Sequence, residues 1–309
     1  MSMDLLPILT EQIQSGEAMA ERFGVTRVAV WKQIQRLQNE GYPVVSEKPK
    51  GYRLLPGTPT PAALQAHLKG SFGQQYHYFG TVASTQDVAR QLADAGAPHG
   101  TVVLAEKQTQ GRGRRGKVWS TPLGSGLYFT VVLKPQLALS ELSLLPLMAG
   151  VAVREACGVG LLKWPNDLIT EKGKMAGLLL EADVRGEEVH HVLLGIGINV
   201  VPEGLPEGAV GLGSHVRKVS RVELLARLLE SLETWLGMTE LAVLSAWRKY
   251  NGTLGRKVRV QTPRGLLEGL AVDLDARGLW IEHQDTRICI TAGDVSLVEP
   301  VGRQHHAEG

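Results

Sequence analysis

The stretch GRGRRGKVW, Gly111 to Trp119, gathers three glycines, three arginines and a lysine within seven residues and closes on a tryptophan. Glycine lets backbone approach a ligand closely, and arginine supplies planar, paired donors for an anion. From its residues alone the segment is open to three readings: a nucleic-acid contact, a cradle for a small anion, or a solvated hairpin tip. It lacks the G-x-x-x-x-G-K-[ST] spacing of a Walker loop, and no helical pattern follows it. Arg-Gly tracts that bind nucleic acid sit more often in low-complexity tails, whereas strand-like TVVLAEKQ and GLYFTVVLK flank this one. Other groups able to do chemistry stand in order along the chain: STQD (84–87), KWPNDL (163–168), KMAGLLLE (174–181) and GIGINV (195–200). Hydroxyls of Ser84 and Thr85 at a helix start suit a polar head group, or simply cap the helix. Asn166 and Asp167 offer the hard oxygens that Mg²⁺ takes, while Pro165 and Asn166 equally form a turn. Trp119 serves either a ligand or the core, Asn199 either a site or a strand end, and Lys174 either a site or a surface strand. No Ser-His-Asp or Cys-His arrangement is apparent.

Positioning these groups takes a mixed scaffold. Apolar runs such as TVVLAE, GLYFTVVLK and HHVLLGIGINV alternate with helical patterns such as ELSLLPLMAGVAVREACG and RVELLARLLESLETWL, and STQD opens a helix carrying Val88, Leu92 and Ala93. The mixture reads as α+β with a substantial sheet. From about Thr253 short strands separated by Gly and Asp turns predict a small β-barrel. LLPGTPTPAAL, around residues 54 to 64, reads as a linker, and the tail GRQHHAEG as frayed, its His pair no metal site. The domains so read are 1–57, 62–250 and 253–301.

Before the linker, Ser15 caps a predicted helix with Ala18, Met19 and Phe23 on one face, and Gly24 ends it. Thr26 caps a second helix in which Val30, Ile34 and Leu37 face inward and Ala29, Lys32 and Arg36 outward. YPVVSEKPKGYRLL then reads as two strands around a basic turn. Between Arg22 and Arg53 seven Lys/Arg stand against two Glu, a local charge of +5. This is a winged helix-turn-helix pattern, and a helical docking domain with merely solvated charges is the alternative.

A net charge of only +2 confines any anion or nucleic-acid binding to such local patches. The 43% hydrophobic content supports real cores, and 309 residues suffice for two or three domains. Two distant cysteines, Cys157 and Cys289, exclude a disulfide scaffold and fit a reducing compartment. With no signal-peptide pattern and no long apolar run, a cytoplasmic protein without membrane partners is expected.

The ordered set STQD, GRGRRG with its nearby Trp, KWPNDL and K-x-A-G closely resembles the biotin protein ligases. With the N-terminal segment, the chain resembles the bifunctional class that also represses transcription of biotin synthesis. The resemblance spans essentially the whole chain and implies an N-terminal winged helix-turn-helix, a central α/β catalytic domain with a mixed, class II synthetase-like sheet, and a C-terminal SH3-like barrel. It implies biotin, ATP and Mg²⁺ as ligands and ATP-dependent ligation of biotin, through biotinyl-5′-AMP, to a lysine of biotin carboxyl carrier protein. Operator DNA is the implied second partner, bound by a homodimer that forms with biotinyl-AMP. By similarity Ser84, Thr85, Gln108, Gly111, Arg112, Arg114, Lys174, Gly177, Leu179 and Gly195 meet biotin. Arg114, Arg115, Trp119, Asn166, Asp167, Lys174 and Asn199 meet ATP or the adenylate, with Asp167 a possible Mg²⁺ ligand. Lys174, Arg112 and Arg114 carry the catalysis, and Arg27, Lys32, Arg36, Lys48 and Lys50 the DNA contact. In the family the basic loop is disordered without ligand and folds over it. Gln86 stands where the family usually has Asn. Two other readings are a biotin-adenylate-sensing regulator without ligase activity and a lipoate–protein ligase; the loop and the fused winged helix favour biotin.

Overall fold

Ser15 and Thr26 open the first two helices, each hydroxyl accepting the amide N–H three residues on, from Ala18 and Ala29. These are α1 (Gly16–Phe23) and α2 (Arg27–Asn39), in a computed structural model that describes residues 4–134, 139–262, 265–291 and 293–298. Gly24, at φ 62°, ends α1 in a left-handed turn that a side chain would resist. Met19 and Ala20 of α1 meet Val30, Ile34 and Leu37 of α2 over Leu5 and Leu9. Ala18, expected on the inner face, is exposed, because the helical 100° step turns Ala20 inward beside Met19. The hairpin β1 (Val44–Glu47) and β2 (Gly51–Leu54) adds Val44 and Leu54 to this small core.

A short α3 (Pro61–Gln65), capped by Thr60, leads into the main sheet. Its strands are β3 (Tyr76–Val82), β4 (Thr101–Gln108), β5 (Gly126–Leu133), β6 (Leu161–Lys163), β7 (Asp167–Thr170), β8 (Gly173–Arg185) and β9 (Glu188–Asn199). They lie in the order β3-β4-β5-β9-β8-β7-β6, parallel between β3 and β4 and antiparallel elsewhere. One face carries α5 (Leu145–Cys157), α6 (Arg221–Trp235) and α7 (Glu240–Lys249) over the large core. The other carries α4 (Thr85–Asp94), whose Ala89 and Ala93 pack on Val103, Val132 and Leu193. Covered on both sides, β5 is buried along its whole length, which explains its unbroken apolar run.

The C-terminal strands are β10 (Lys257–Thr262), β11 (Gly265–Asp275), β12 (Gly278–His283), β13 (Thr286–Ile290) and β14 (Asp294–Leu297). Their order is β13-β12-β11-β10-β14, all antiparallel, with β13 and β14 at the edges. Among the described residues no pairing joins those edges, so the sheet is open there and closure into the expected barrel is not shown. The GRQHHAEG tail lies outside the described residues.

One buried ion pair ties these parts together. Glu106 on β4 and Arg221 at the start of α6 are 1% and 3% exposed, with Arg221 Nη1 2.7 Å from Glu106 Oε2. Tyr78 donates to the other carboxylate oxygen, and Arg221 also donates to the Gly126 carbonyl and to Thr58 Oγ1 in the linker. The Gly57 carbonyl accepts from the Val222 amide, and the Pro59 carbonyl from Tyr76. Arg221→Ala strands the Glu106 charge in the core, and breaking a buried pair this way costs about 3–5 kcal/mol. Urea unfolding at pH 7 should register a loss of that order; an unchanged midpoint would show that the pair carries no such weight.

Candidate functional site

Glycines on neighbouring strands form the floor of a cavity of about 320 Å³. Gly177 of β8 is the register partner of Gly197 on β9, and Gly195 lies two residues before it on the same face. A side chain at Gly177 or Gly197 would stand 2.9 or 2.4 Å from the ring of Trp119, and one at Gly195 3.2 Å from the Gln86 amide. Trp119 therefore seats on bare backbone. It also closes the basic loop, its amide donating to the Gly111 carbonyl while Arg112 and Val118 form a β-bridge. Leu179, on β8, adds to the wall.

Cations dominate the lining. Arg112, Arg114, Lys117, Lys163 and Lys174 face the cavity against two carboxylates, Asp167 and Glu207, so the site selects an anion. Arg112 holds Asp87 through two bonds of 2.9 and 2.6 Å. Those bonds keep the Asp87 carboxyl below its ordinary value of 3.8. This contribution to loop anchoring is present above about pH 4 and is lost as pH falls through the lowered value. Arg114 donates to the Gly293 carbonyl and weakly to Asn166, and Arg115 donates to the Gln261 carbonyl. The loop, expected to fold only over ligand, is thus tied here to α4 and to the C-terminal sheet.

Asp167, read as a possible Mg²⁺ ligand, holds Lys174 Nζ at 2.7 Å and Lys163 Nζ at 3.2 Å. Two ammonium groups on one carboxylate disfavour a dication there, and among the described residues no group of three metal ligands lies at this cavity. Lys174 Nζ also stands 5.2 Å from the Trp119 ring centre, a cation–π distance. Asn166 Nδ2 donates to the Leu178 carbonyl and Asn199 Nδ2 to the Lys174 carbonyl, so both brace the strands that carry the site.

At the start of α4 the polar groups are buried. Gln108 Oε1 accepts from the Thr85 amide and hydroxyl, and Thr130 Oγ1 lies 2.9 Å from Thr85 Oγ1. Ser84 is the N-cap residue, yet its hydroxyl makes no capping bond and has no partner. Gln86 is 3% exposed and neither amide atom has a partner. Residue reasoning missed Gly197, though the i, i+2 spacing in GIGINV carried it, and it missed Lys163. It also missed 206–209, which line the cavity where the Lys174 amide donates to the Gly208 carbonyl.

On the helix-turn-helix, Lys32, Lys48 and Lys50 are exposed, and Arg27 and Arg36 are exposed but paired with Glu17 and Glu40. Val28 and Trp31, which the sequence reading passed over, are exposed on the same outer side of α2 as Lys32.

Fold and site together define a small-molecule-anion enzyme fold joined to a helix-turn-helix. Comparison with known proteins agrees: residues 78–199 match the biotin/lipoate A/B protein ligase family, and 3–53 match an HTH domain family. The bifunctional ligase/repressor BirA of Bacillus subtilis is 33% identical over 95% of this chain and 98% of its own. That of Escherichia coli is 29% identical over 89% of each. The biotin protein ligase of Aquifex aeolicus, solved with biotin and ATP, superposes with a TM-score of 0.62 at 28% identity, covering 72% of this chain and 98% of that one. The chain belongs to the bifunctional ligase/repressor family.

The orphaned Gln86 amide gives a test that needs no ligand. An unsatisfied buried polar group costs about 1–3 kcal/mol, and an apolar group of similar shape removes that cost. Gln86→Met should raise the urea midpoint of the empty protein; a variant less stable than the parent would mean that Gln86 is satisfied.

Proposed function

We propose that this protein joins biotin to a lysine of a biotin carboxyl carrier protein at the expense of ATP, and represses transcription through its helix-turn-helix. The observation that carries the first half is the polarity of the cavity. Its lining sets buried neutral donors and acceptors without partners, on Ser84 and Gln86, together with a surplus of cations. Biotin has that pattern: a ureido ring that donates and accepts, an apolar body and a carboxylate. Lipoate ends in an apolar dithiolane that would leave those buried polar atoms unsatisfied. Gln86 then takes the position of the usual Asn, and Gln86→Met should weaken biotin binding while it stabilises the empty chain.

In the first step a biotin carboxylate oxygen attacks the α-phosphorus of ATP, and pyrophosphate leaves. In the second a lysine amine attacks the acyl carbon of biotinyl-5′-AMP, and AMP leaves. Both need anions brought together with water excluded. Ser84, Thr85 and Gln108 hold the ureido end, with Gly111, Gly177, Leu179 and Gly195 letting backbone and a small apolar wall meet the ligand. Trp119 covers the adenylate from the loop side. Arg112, Arg114 and Lys174 stabilise the carboxylate and α-phosphate, while Arg115, Asn166, Asp167 and Asn199 order the nucleotide. Mg²⁺ bound with ATP would neutralise phosphate charge, and Asp167, already neutralised by two lysines, would not be its ligand.

For repression, the exposed face of α2 enters the major groove, with Lys32, Arg36, Arg27 and the turn lysines Lys48 and Lys50 on phosphates. Val28 and Trp31 supply apolar contacts suited to thymine methyl groups. The DNA-bound form is a homodimer that assembles with biotinyl-AMP, and the five C-terminal strands make up its SH3-like domain. No helix among the described residues is long and apolar enough to cross a membrane.

Lys174→Ala leaves carboxylate and α-phosphate repelling each other, and loss of one such group slows chemistry by roughly 10²–10³-fold. Pyrophosphate release should fall by that factor, and transfer from pre-made biotinyl-AMP should fall less. A rate within a few-fold of the parent removes Lys174 from the mechanism. Charge reversal at Lys32 and Arg36 should abolish DNA binding and spare biotin transfer. If the parent, saturated with adenylate, shows no salt-sensitive and sequence-preferring DNA binding, the repressor half is wrong.

A further inference from the structure

Asp94 is the last residue of α4, the end opposite the cavity, and it meets the hairpin of β8 and β9. On that hairpin Asp183 and His191 are register partners, beside a shift in strand register. One nitrogen of His191 and one carboxylate oxygen from each aspartate all lie within 4.8 Å of one another. The His191 side chain is only 6% exposed. Its Nε2 has no hydrogen-bond partner, and Nδ1 stands 3.8 Å from Asp183 Oδ2, beyond hydrogen-bond length. None of the three residues touches the cavity described above, and nothing in ligation or DNA binding uses them.

We propose that Asp94, Asp183 and His191 form a binding site for a divalent transition-metal ion of the zinc class. Zinc bonds to imidazole nitrogen and carboxylate oxygen run about 2.0–2.2 Å, so one ion spans donors 3.8 Å apart with a small closure of the carboxylates. An imidazole with two carboxylates favours such an ion over Mg²⁺ or Ca²⁺, which take oxygen ligands throughout. Two arginines lie close. Arg90 is drawn off by Glu181, whereas Arg185 Nη2 sits 3.1 Å from the same Asp183 Oδ2 and competes for it. The ion would clamp the C-terminal end of α4 to the hairpin, and the N-terminal end of the same helix presents Ser84, Thr85 and Gln86 to the cavity.

The test is calorimetric titration of zinc chloride into the metal-free full chain, without nucleotide, in a background where His305→Gln and His306→Gln silence the histidine pair of the tail. One Zn²⁺ per chain is expected, with no heat from magnesium chloride. Asp94→Asn, at an exposed position that folding tolerates, should weaken binding at least about ten-fold, a loss that even an outer-sphere partner of a metal ligand produces. Arg185→Gln should tighten binding by removing the competing guanidinium. Absence of saturable zinc uptake overturns the proposal, as does an isotherm that Asp94→Asn leaves unchanged or that Arg185→Gln weakens.

Discussion

Trp119 lying on the glycines of β8 and β9 is the contact on which the site depends. A methyl group at Gly177 or Gly197 would collide with its ring. Those glycines weaken their strands, since each lacks a side chain to pack, and the indole replaces the missing bulk. Because Trp119 is bonded back to Gly111, seating the indole also fixes both ends of the arginine loop over the cavity. Sheet, tryptophan and loop thus form one unit, and the positions of Arg112 and Arg114 follow from it.

Electrostatics sets the second constraint. Cations crowded into a small cavity repel one another, and the fold relieves this with carboxylates placed behind them. Asp87 takes Arg112, and Asp167 takes both Lys163 and Lys174. The surplus positive charge is left for an incoming anion. On the other face of the sheet, Glu106 sits on β4, the strand that ends at Gln108 in the site. Its partner Arg221 grips Thr58 in the linker to the helix-turn-helix. Strand β4 therefore reaches the ligand cavity through Gln108 and the tether of the DNA-binding unit through Arg221.

Much of this was legible in the residues because the motifs are local. Caps at Ser15 and Thr26, the apolar face of α2 and the glycine-arginine loop each depend on neighbours a few positions away. What escaped reading depends on distant partners. Nothing near Glu106 announces Arg221, 115 residues on. Segment 206–209 looks like an ordinary Pro-Gly loop until its pairing with Lys174 brings it to the cavity. Asp167 offered oxygens suited to Mg²⁺, and only the geometry brought two lysines onto them. Ser84 was open to reading as a ligand contact or a helix cap, and only the fold shows its hydroxyl making no capping bond.

The central claim is that unpartnered buried polar atoms and surplus cations in one cavity match biotin and reject lipoate. Incubating the protein with ATP, Mg²⁺ and equal amounts of the two acids, then identifying the adenylate by mass spectrometry, tests this most directly. The account predicts biotinyl-5′-AMP in large excess. Lipoyl-AMP in comparable or greater yield would contradict it.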